Sequence, residues 1–363
     1  MHIRILDKYI FRETLRTFLF GIAAFSIVFL GTGTLFRIAQ YITEYGASFT
    51  SVLKIFVLSL PGVIIYTFPM SMLLSSLLTF GRLSSSSEIT AMKSCGIGFN
   101  RIATPAIILG AVVSIFAIAF NEYVVPWSND AYSHVLNYEI RGNMKPQSQE
   151  HIIVKEIDQG TIQRLVYARK YDAEANEMIG VTMQDFEDGN VRHVENAEYA
   201  EWQNQQWVLH NGMIYDVSDG HSRRTMHFSE QVLPINESPN EIVRAQKTPE
   251  EMTMKELKMQ IKAMQSQFVD TKKLETEFYQ RITVPMASLI FTLVGIPLAL
   301  QPSRSSSSAG FALSIVIIFA YYAMMTLASS IAQSGAVDPA VAVWLPNAVG
   351  LIAGIYLMRR AAR

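Results

Sequence analysis

Six stretches of this chain carry no charged residue: Thr17–Phe36, Ile55–Phe80, Ile102–Asn121, Ile282–Leu300, Ala309–Gln333 and Pro339–Met358. Each is long enough, at about 1.5 Å per residue of helix, to cross about 30 Å of hydrocarbon. No water reaches that layer, so every backbone N–H and C=O must be bonded within its own segment, and a single chain segment can do that only as a helix. Six membrane helices are therefore expected, three on each side of a charged block. The first stretch is too long for a signal-peptide core and has no small-residue cleavage site after it, so it reads as an uncleaved anchor.

Charge is segregated along the chain. Residues 122–281 hold 26 acids and 17 bases, a net of −9, whereas the remainder holds 5 acids and 13 bases, a net of +8. An acidic water-exposed part is thus set into a basic membrane part. The bases sort by side. Arg4, Lys8, Arg12 and Arg16 precede the first span, Arg82, Lys93 and Arg101 lie between the second and third, Arg304 between the fourth and fifth, and Arg359, Arg360 and Arg363 after the sixth. Alternating spans put all of these on one face, and only Arg37 and Lys54 fall in the short loops of the other. Short basic segments stay cytoplasmic. Both termini and 81–101 are therefore expected in the cytoplasm, with 122–281 on the opposite side of the membrane.

The inserted region reads as sheet between about 140 and 245. Leu165, Tyr167, Arg169 and Tyr171 alternate with Val166, Ala168 and Lys170, and Ile179, Val181 and Met183 recur at period two. WVLHNGMIYDV suggests a hairpin turning on Asn211-Gly212, and Asp188-Gly189-Asn190 a second turn. Short strands at this spacing suggest a sandwich or jellyroll, with Trp202 and Trp207 in its core. In TPEEMTMKELKMQIKAM, Thr248, Pro249 and Glu251 offer a cap, a first helical position and a capping box, so a helical linker is expected to return to the fourth span, lying along the membrane surface.

Catalytic signatures are missing. The sequence has no G-x-x-x-x-G-K-[ST], no H-E-x-x-H and no G-x-S-x-G. His193, His210, His221 and His227 lack ligand spacing, and the single thiol, Cys95, can form neither an intrachain disulfide nor a multi-cysteine metal site. No clustered basic face suggests nucleic acid. No enzyme activity, cofactor or metal is expected. The apolar windows hold no acid, lysine or histidine, the groups through which ion-coupled carriers work. Pro61, Pro69, Pro105, Pro285, Pro297 and Pro346 predict kinks, structural or part of a moving gate.

The connection GRLSSSSEITAMKSCGIGFNR, 81–101, has a helix signal of its own. Ser85 and Glu88 fit a capping box, Gly96 and Gly98 can end a short helix, and Glu88 and Lys93 complement its dipole. Ile89, Met92 and Cys95 recur on one face. Two readings fit: an interfacial turn, or a rigid cytoplasmic helix presenting Glu88 and an apolar strip to another subunit. A bundle with no nucleotide-binding loop and no ion-coupling residue needs an external motor to move anything, which favours the second.

Four segments carry a family resemblance: LDKYIFRETLRTF at the N-terminus, SSSSEITAMKSCGI after the second span, NEYVVPWSNDAY beyond the third, and EFYQRITVPMASLIFTLVGIPLAL at the fourth. In order and layout, over essentially the whole chain, they resemble the F/G-type (LptF/LptG) permeases of the lipopolysaccharide-transport ABC exporter. The resemblance implies a six-span helical membrane protein of the inner membrane, with membrane halves 1–121 and 282–363 around a periplasmic β-jellyroll domain, 122–281. It implies extraction of lipopolysaccharide, with a second F/G-type permease as heterodimer partner, a cytoplasmic ABC ATPase dimer, and a periplasmic LptC- or LptA-like jellyroll as acceptor. It makes 84–96 a coupling helix, with Ser85, Glu88, Ile89, Met92 and Lys93 at the ATPase and Glu88 the engaging acid. A lateral gate between first and fifth spans would fall at Phe25, Phe29, Leu30, Phe319, Tyr322 and Met325, with Arg37 near lipid phosphate or as an interfacial anchor. The competing reading, from a different class, is a membrane-anchored scaffold or sensor whose β-domain binds a partner without transport.

Overall fold

The computed structural model describes residues 5–140, 148–158, 161–187, 190–218, 221–235, 238–239, 242, 247–265, 270–300 and 307–362. Arg4, Arg304, Arg363 and the turn residues 188–189 lie outside them. Two compact units result: Met1–Ile140 with Pro249–Arg363, and Arg141–Thr248.

All six apolar windows are helical, and the first three helices overshoot them. Helix α1 (Ile5–Phe29) runs through a π turn (Leu30–Thr34) into α2 (Leu35–Tyr45), giving a continuous span of 41 residues. Helix α3 is Phe49–Ser85, α4 is Glu88–Ser94, and α5 (Phe99–His134) continues through a second π turn, Val135–Ile140. The boundary expected at Glu122 therefore lies inside α5. After the β-unit come α6 (Met254–Gln265), α7 (Lys272–Leu298), α8 (Ser307–Gln333) and α9 (Pro339–Ala362). The prolines Pro61, Pro69, Pro105, Pro285, Pro297 and Pro346 all sit within helices.

Helix α7 is the axle of the membrane unit. Lipid tails are as apolar as leucine, so helices there associate through close backbone approach and interhelical hydrogen bonds. Gly295 of α7 meets Ser76 of α3, Gly110 of α5 meets Thr292 of α7, and Gly354 of α9 meets Leu293. Polar groups lock the same seams. Ser114 Oγ accepts the Leu289 N–H at 3.1 Å, and Asn347 of α9 donates to the Thr283 carbonyl while accepting the Tyr321 hydroxyl, each at 2.8 Å.

The β-unit is a six-stranded antiparallel meander in the order β1 to β6: Gln149–Asp158, Thr161–Asp172, Glu177–Glu187, Asn190–Gln203, Gln206–Ser218 and His221–Leu233. Register shifts at Glu156/Ile157, Asp185/Phe186 and Ile214/Tyr215 fall at one end of the sheet, where bulges increase its twist. Its core gathers Ile152, Val166, Tyr171, Met178, Val181, Leu209 and Phe228 with the fully buried Trp207, and Trp202 lies edge-on to that ring at 5.2 Å. Trp207 is at the core, as the sequence suggests, whereas Trp202 is half-buried and packs against it from the edge.

Two local expectations are overturned. The β4–β5 hairpin turns on Asn204-Gln205, both with positive φ (48° and 62°), as a two-residue primed turn needs. Asn211-Gly212 lies within β5 instead. Its glycine has a packing reason: Gly212 pairs with Phe228, and a Cβ there would sit 2.0 Å from that ring. The capping box after the sheet is also displaced. Residues Pro249–Glu251 form a 3-10 turn, and Thr253 caps α6 with Glu256, through Thr253 N–H to Glu256 Oε2 at 2.8 Å and Glu256 N–H to Thr253 Oγ1 at 3.3 Å.

Glu195 on β4 is buried and accepts from Gln231 Nε2 at 3.0 Å. Burial raises its pKa above the ordinary carboxylate value, against the lowering effect of that hydrogen bond. A carboxyl with a raised folded pKa costs stability while ionised, and the cost disappears as pH falls through the folded value. Glu195→Gln in the full-length protein is therefore expected to slow hydrogen exchange of β4 amides at neutral pH. The difference from wild type should shrink toward the carboxylate range of about 4. Equal exchange of the two proteins at neutral pH would contradict this.

Candidate functional site

The connection between α3 and α5 forms a short helix, but with a different start from the one the sequence suggests. Ser85 remains in α3, its Oγ bonded to the Arg82 carbonyl at 3.0 Å. The turn to α4 passes through Ser87 at φ 59°, and α4 starts at Glu88 with no side-chain cap. The capping box therefore gives way to a tight elbow. The other end follows expectation through Gly96 (φ 83°), where Ile97 N–H bonds the Met92 carbonyl at 3.1 Å and Gly96 N–H the Lys93 carbonyl at 2.9 Å. This is a Schellman closure. Gly98 instead opens α5.

Three elements hold Glu88. Tyr9 of α1 donates to its Oε2 at 2.9 Å, Ser86 donates to its Oε1 at 2.9 Å, and Arg82 Nη1 lies 3.5 Å from Oε1. Arg82 also reaches Glu13 of α1 at 3.1 Å and donates to the Tyr9 hydroxyl at 3.3 Å. Arg101 pairs with Asp7 at 2.6 Å. The elbow is thus tied to the first turns of α1. Its apolar strip points inward: Ile89 is buried among Ile10, Phe80, Leu83, Phe99 and Ile102, and Met92 packs beside them. The expectation that Ile89 and Met92 face outward is corrected; they fasten α4 to the bundle. The exposed side is polar and small, with Ser85, Ser86, Ser87, Thr90, Ala91, Ser94 and Cys95, and with Lys93 over the Phe99 ring at 5.2 Å.

From that anchored end, α1 follows α3. Ser75 Oγ donates to the Thr14 carbonyl at 2.6 Å, and Gly21 abuts Ser71. The chain is held again at the far end, where Tyr41 is buried among Ile55, Val135, Leu136 and Ile140 and its hydroxyl lies 3.0 Å from that of Tyr132. Between these ties α1 is little supported. Ile27, Val28, Phe29, Leu35 and Phe36 are exposed, and the π turn LGTGT has no buried residue. π turns loosen the helical ladder and often mark functional sites.

The residues assigned to a gate divide. Phe25, Tyr322 and Met325 meet in one apolar cluster with Met70, Leu73 and Phe291, and Tyr322 donates to the Tyr66 carbonyl at 3.1 Å. Phe29 and Phe319 are exposed, the latter by 75%, and Leu30 is half-buried. Arg37 is exposed beside Tyr132. Phe25 of α1 and Tyr322 of α8 thus pack against one apolar cluster built on α3, α7 and α8, next to a stretch of the first span, from Ile27 to Phe36, that is mostly exposed.

Sequence reasoning missed Arg281. Helix α7 starts at Lys272, ahead of its apolar window, and brings this arginine into the interior at 5% exposure. Its Nη1 donates to the Met252 carbonyl, its Nη2 donates to the Pro249 carbonyl at 2.5 Å, and Glu277 lies 4.0 Å from its Nε. Asn121 donates to the Arg281 carbonyl at 3.2 Å, Glu122 accepts the Met254 N–H at 3.0 Å, and Ser133 donates to Glu251 at 2.6 Å. Helix α5, helix α7 and the turn where the chain returns from the β-unit are joined at one buried fork. Its only trace in the sequence is an arginine at the margin of an uncharged stretch. Among the described residues no cluster of His, Cys, Asp or Glu could hold a metal.

The sequence comparisons agree with this architecture. Over 97% of its length the chain is 21% identical to the lipopolysaccharide export system permease protein LptF of Escherichia coli K12, covering 94% of that protein. It is 20% identical to LptG of the same organism, over 84% of both chains, and 20% identical to LptG of Haemophilus influenzae, over 88% of both. The family model described as lipopolysaccharide export system permease LptF/LptG matches residues 8–360. With six membrane helices around an inserted antiparallel β-unit, this chain belongs to the LptF/LptG family of lipopolysaccharide export permeases.

Proposed function

We propose that this chain is the permease half of an ATP-driven machine that lifts lipopolysaccharide out of the inner membrane. Both termini and α4 face the cytoplasm, and the β-unit lies in the periplasm. A separate ABC ATPase dimer docks on the exposed, polar side of α4. A second F/G-type permease completes the cavity, and the β-unit delivers lipid to a periplasmic LptC- or LptA-like jellyroll on the way to the outer membrane. The basic residues clustered at one end of the bundle support the orientation.

One observation carries the mechanism: α4 is tied to α1 by Tyr9–Glu88, and Arg82 at the end of α3 reaches both Glu88 of α4 and Glu13 of α1. The helix touched by a motor is thereby fastened to the helix that borders the opening. A shift of α4 during ATP hydrolysis moves the first turns of α1 and, through the rigid α1–α3 contact at Ser75 and Gly21, loads the seam at Phe25, Tyr322 and Met325. The π turn at Leu30–Thr34 absorbs the motion, since Tyr41 holds the far end. Lipid enters past Phe29, Leu30 and Phe319, with Arg37 placed for a phosphate of its head group.

The test is purification of the tagged chain from its native membranes in mild detergent, with mass spectrometry of bound proteins and lipids. The expected result is an ABC-type ATPase, a second LptF/LptG-type permease and lipopolysaccharide in one complex. Recovery of a periplasmic partner with no ATPase would favour the scaffold reading instead.

A further inference from the structure

Where α5, α7 and α9 meet at the end of the bundle bearing both termini, an open cleft of about 390 Å³ is lined by Asn100, Leu293, Ile355, Met358, Arg359 and Ala362. Its origin is local. Gly350 sits on Ile290 and Gly354 on Leu293, so the backbones of α9 and α7 run close together up to that level. Beyond Gly354 the α9 residues that line the cleft include the long side chains Ile355, Met358 and Arg359, and α9 has no further glycine. The space left open has an apolar floor and a polar rim.

The rim has the chemistry of an anion seat. Arg359 is exposed, and among the described residues no carboxylate pairs with it. Its neighbour at the cleft, Asn100, lies in the first turn of the 36-residue helix α5, where the helix dipole favours negative charge. Arg101, one residue on, is already engaged by Asp7 and is not available. Arginine, an amide donor and a helix start together match a phosphodiester. The surroundings match the rest of a lipid. Leading away from the rim, α9 exposes Ile352 and Tyr356 and α5 exposes Ile108 and Val112, an apolar surface on which acyl chains can lie.

We infer that this cleft binds the phosphate head group of an anionic glycerophospholipid of the bilayer. Basic pockets between membrane helices take such head groups. The cleft shares no lining residue with the cluster at Phe25, Tyr322 and Met325 or with Phe29, Leu30 and Phe319, so it is a separate seat from the path proposed for the exported lipid. It fixes the depth at which the α5–α7–α9 end rides in the membrane. The leaflet that supplies the lipid follows from the orientation proposed above, but the binding test does not depend on it.

Full-length protein in detergent is titrated with dioleoylphosphatidylglycerol, and bound lipid is read by native mass spectrometry. Arg359→Ala is expected to weaken binding about fivefold, the worth of one basic residue at an anionic surface, and Arg359→Glu more. Asn100→Leu should weaken it in the same direction. Arg16→Glu, an equal change of charge on an exposed part of α1, should leave affinity unchanged. Soluble glycerophosphate at the same concentration should displace nothing, because it has no acyl chains. Arg359 is exposed, so its variants are expected to keep the wild-type unfolding temperature in the absence of lipid. Wild-type affinity in both Arg359 variants, an equal loss in Arg16→Glu, or full competition by glycerophosphate would each overturn the assignment.

Discussion

Glu88→Lys is expected to strip the ATPase from the purified complex by at least tenfold and to abolish ATP-dependent release of lipopolysaccharide. The substitution acts twice. On the exposed side it reverses the charge offered to a partner. On the inner side it removes the acceptor of Tyr9 and Ser86 and sets an ammonium against Arg82, which is already within 3.5 Å of the present carboxylate. Two companion variants separate these effects. Tyr9→Phe removes only the internal hydroxyl, so the ATPase should stay bound at near wild-type levels while lipid release per ATP falls. Glu88→Gln keeps the hydrogen-bonding shape and removes the charge, so its loss should be intermediate. The measurement is the ATPase-to-permease ratio after affinity purification, together with lipid released per ATP in reconstituted vesicles. A Glu88→Lys protein that retains its ATPase would end the reading of α4 as the coupling helix.

Arg281→Ala is expected to destabilise the membrane unit by about 3 kcal/mol, the order of cost for breaking a buried charged contact. The carbonyls of Met252 and Pro249 lose their donor, and Glu277 loses its nearest cation. Such orphaned buried groups carry the full desolvation penalty. The loss should be local: hydrogen exchange should accelerate in 249–265 and in the first turns of α7, while the Trp207-centred sheet keeps its protection. Arg281→Lys should rescue only part, because an ammonium on a flexible stem does not reproduce the planar fork that spans two carbonyls. Wild-type protection in the alanine variant would show that the fork does not hold the return turn.

The helices and the strands were legible for different reasons. Uncharged stretches such as Ile55–Phe80 can satisfy their backbone in lipid only as helix, so the window alone was sufficient. In β2 and β3, the period-two runs at Leu165–Tyr171 and Ile179–Met183 marked both segments as strands, although Leu165, Val166, Tyr167 and Ala168 are all buried, so β2 is covered on both faces there. Local punctuation was less reliable. Asn211-Gly212 looks like a turn, but the glycine is there to make room for Phe228, a neighbour supplied by another strand. Asn204-Gln205, the true turn, carries no glycine at all. Ser85-Glu88 and Thr248-Glu251 satisfy the capping pattern, yet α3 runs through Ser85 and the cap after the sheet forms at Thr253-Glu256. A short pattern states what a segment can do, and contacts formed elsewhere decide which of two adjacent options is used.

What the sequence determined by itself is the number of spans, the charge asymmetry between the charged block and the rest, and the place of the β insertion. These follow from properties summed over many residues, such as hydrophobic length, net charge and period, and no single contact can reverse them. Only the tertiary structure decided that Ile89 and Met92 turn inward, that Glu88 is tied to Tyr9 and Arg82, that Phe25 packs against the cluster holding Met325 while Phe29 stays exposed, and that Arg281 is buried. Each of these depends on partners elsewhere in the chain, such as Tyr9, 79 residues from Glu88, and Met252, 29 residues from Arg281, or on the rotation of one helix about its axis, and an apolar window fixes neither.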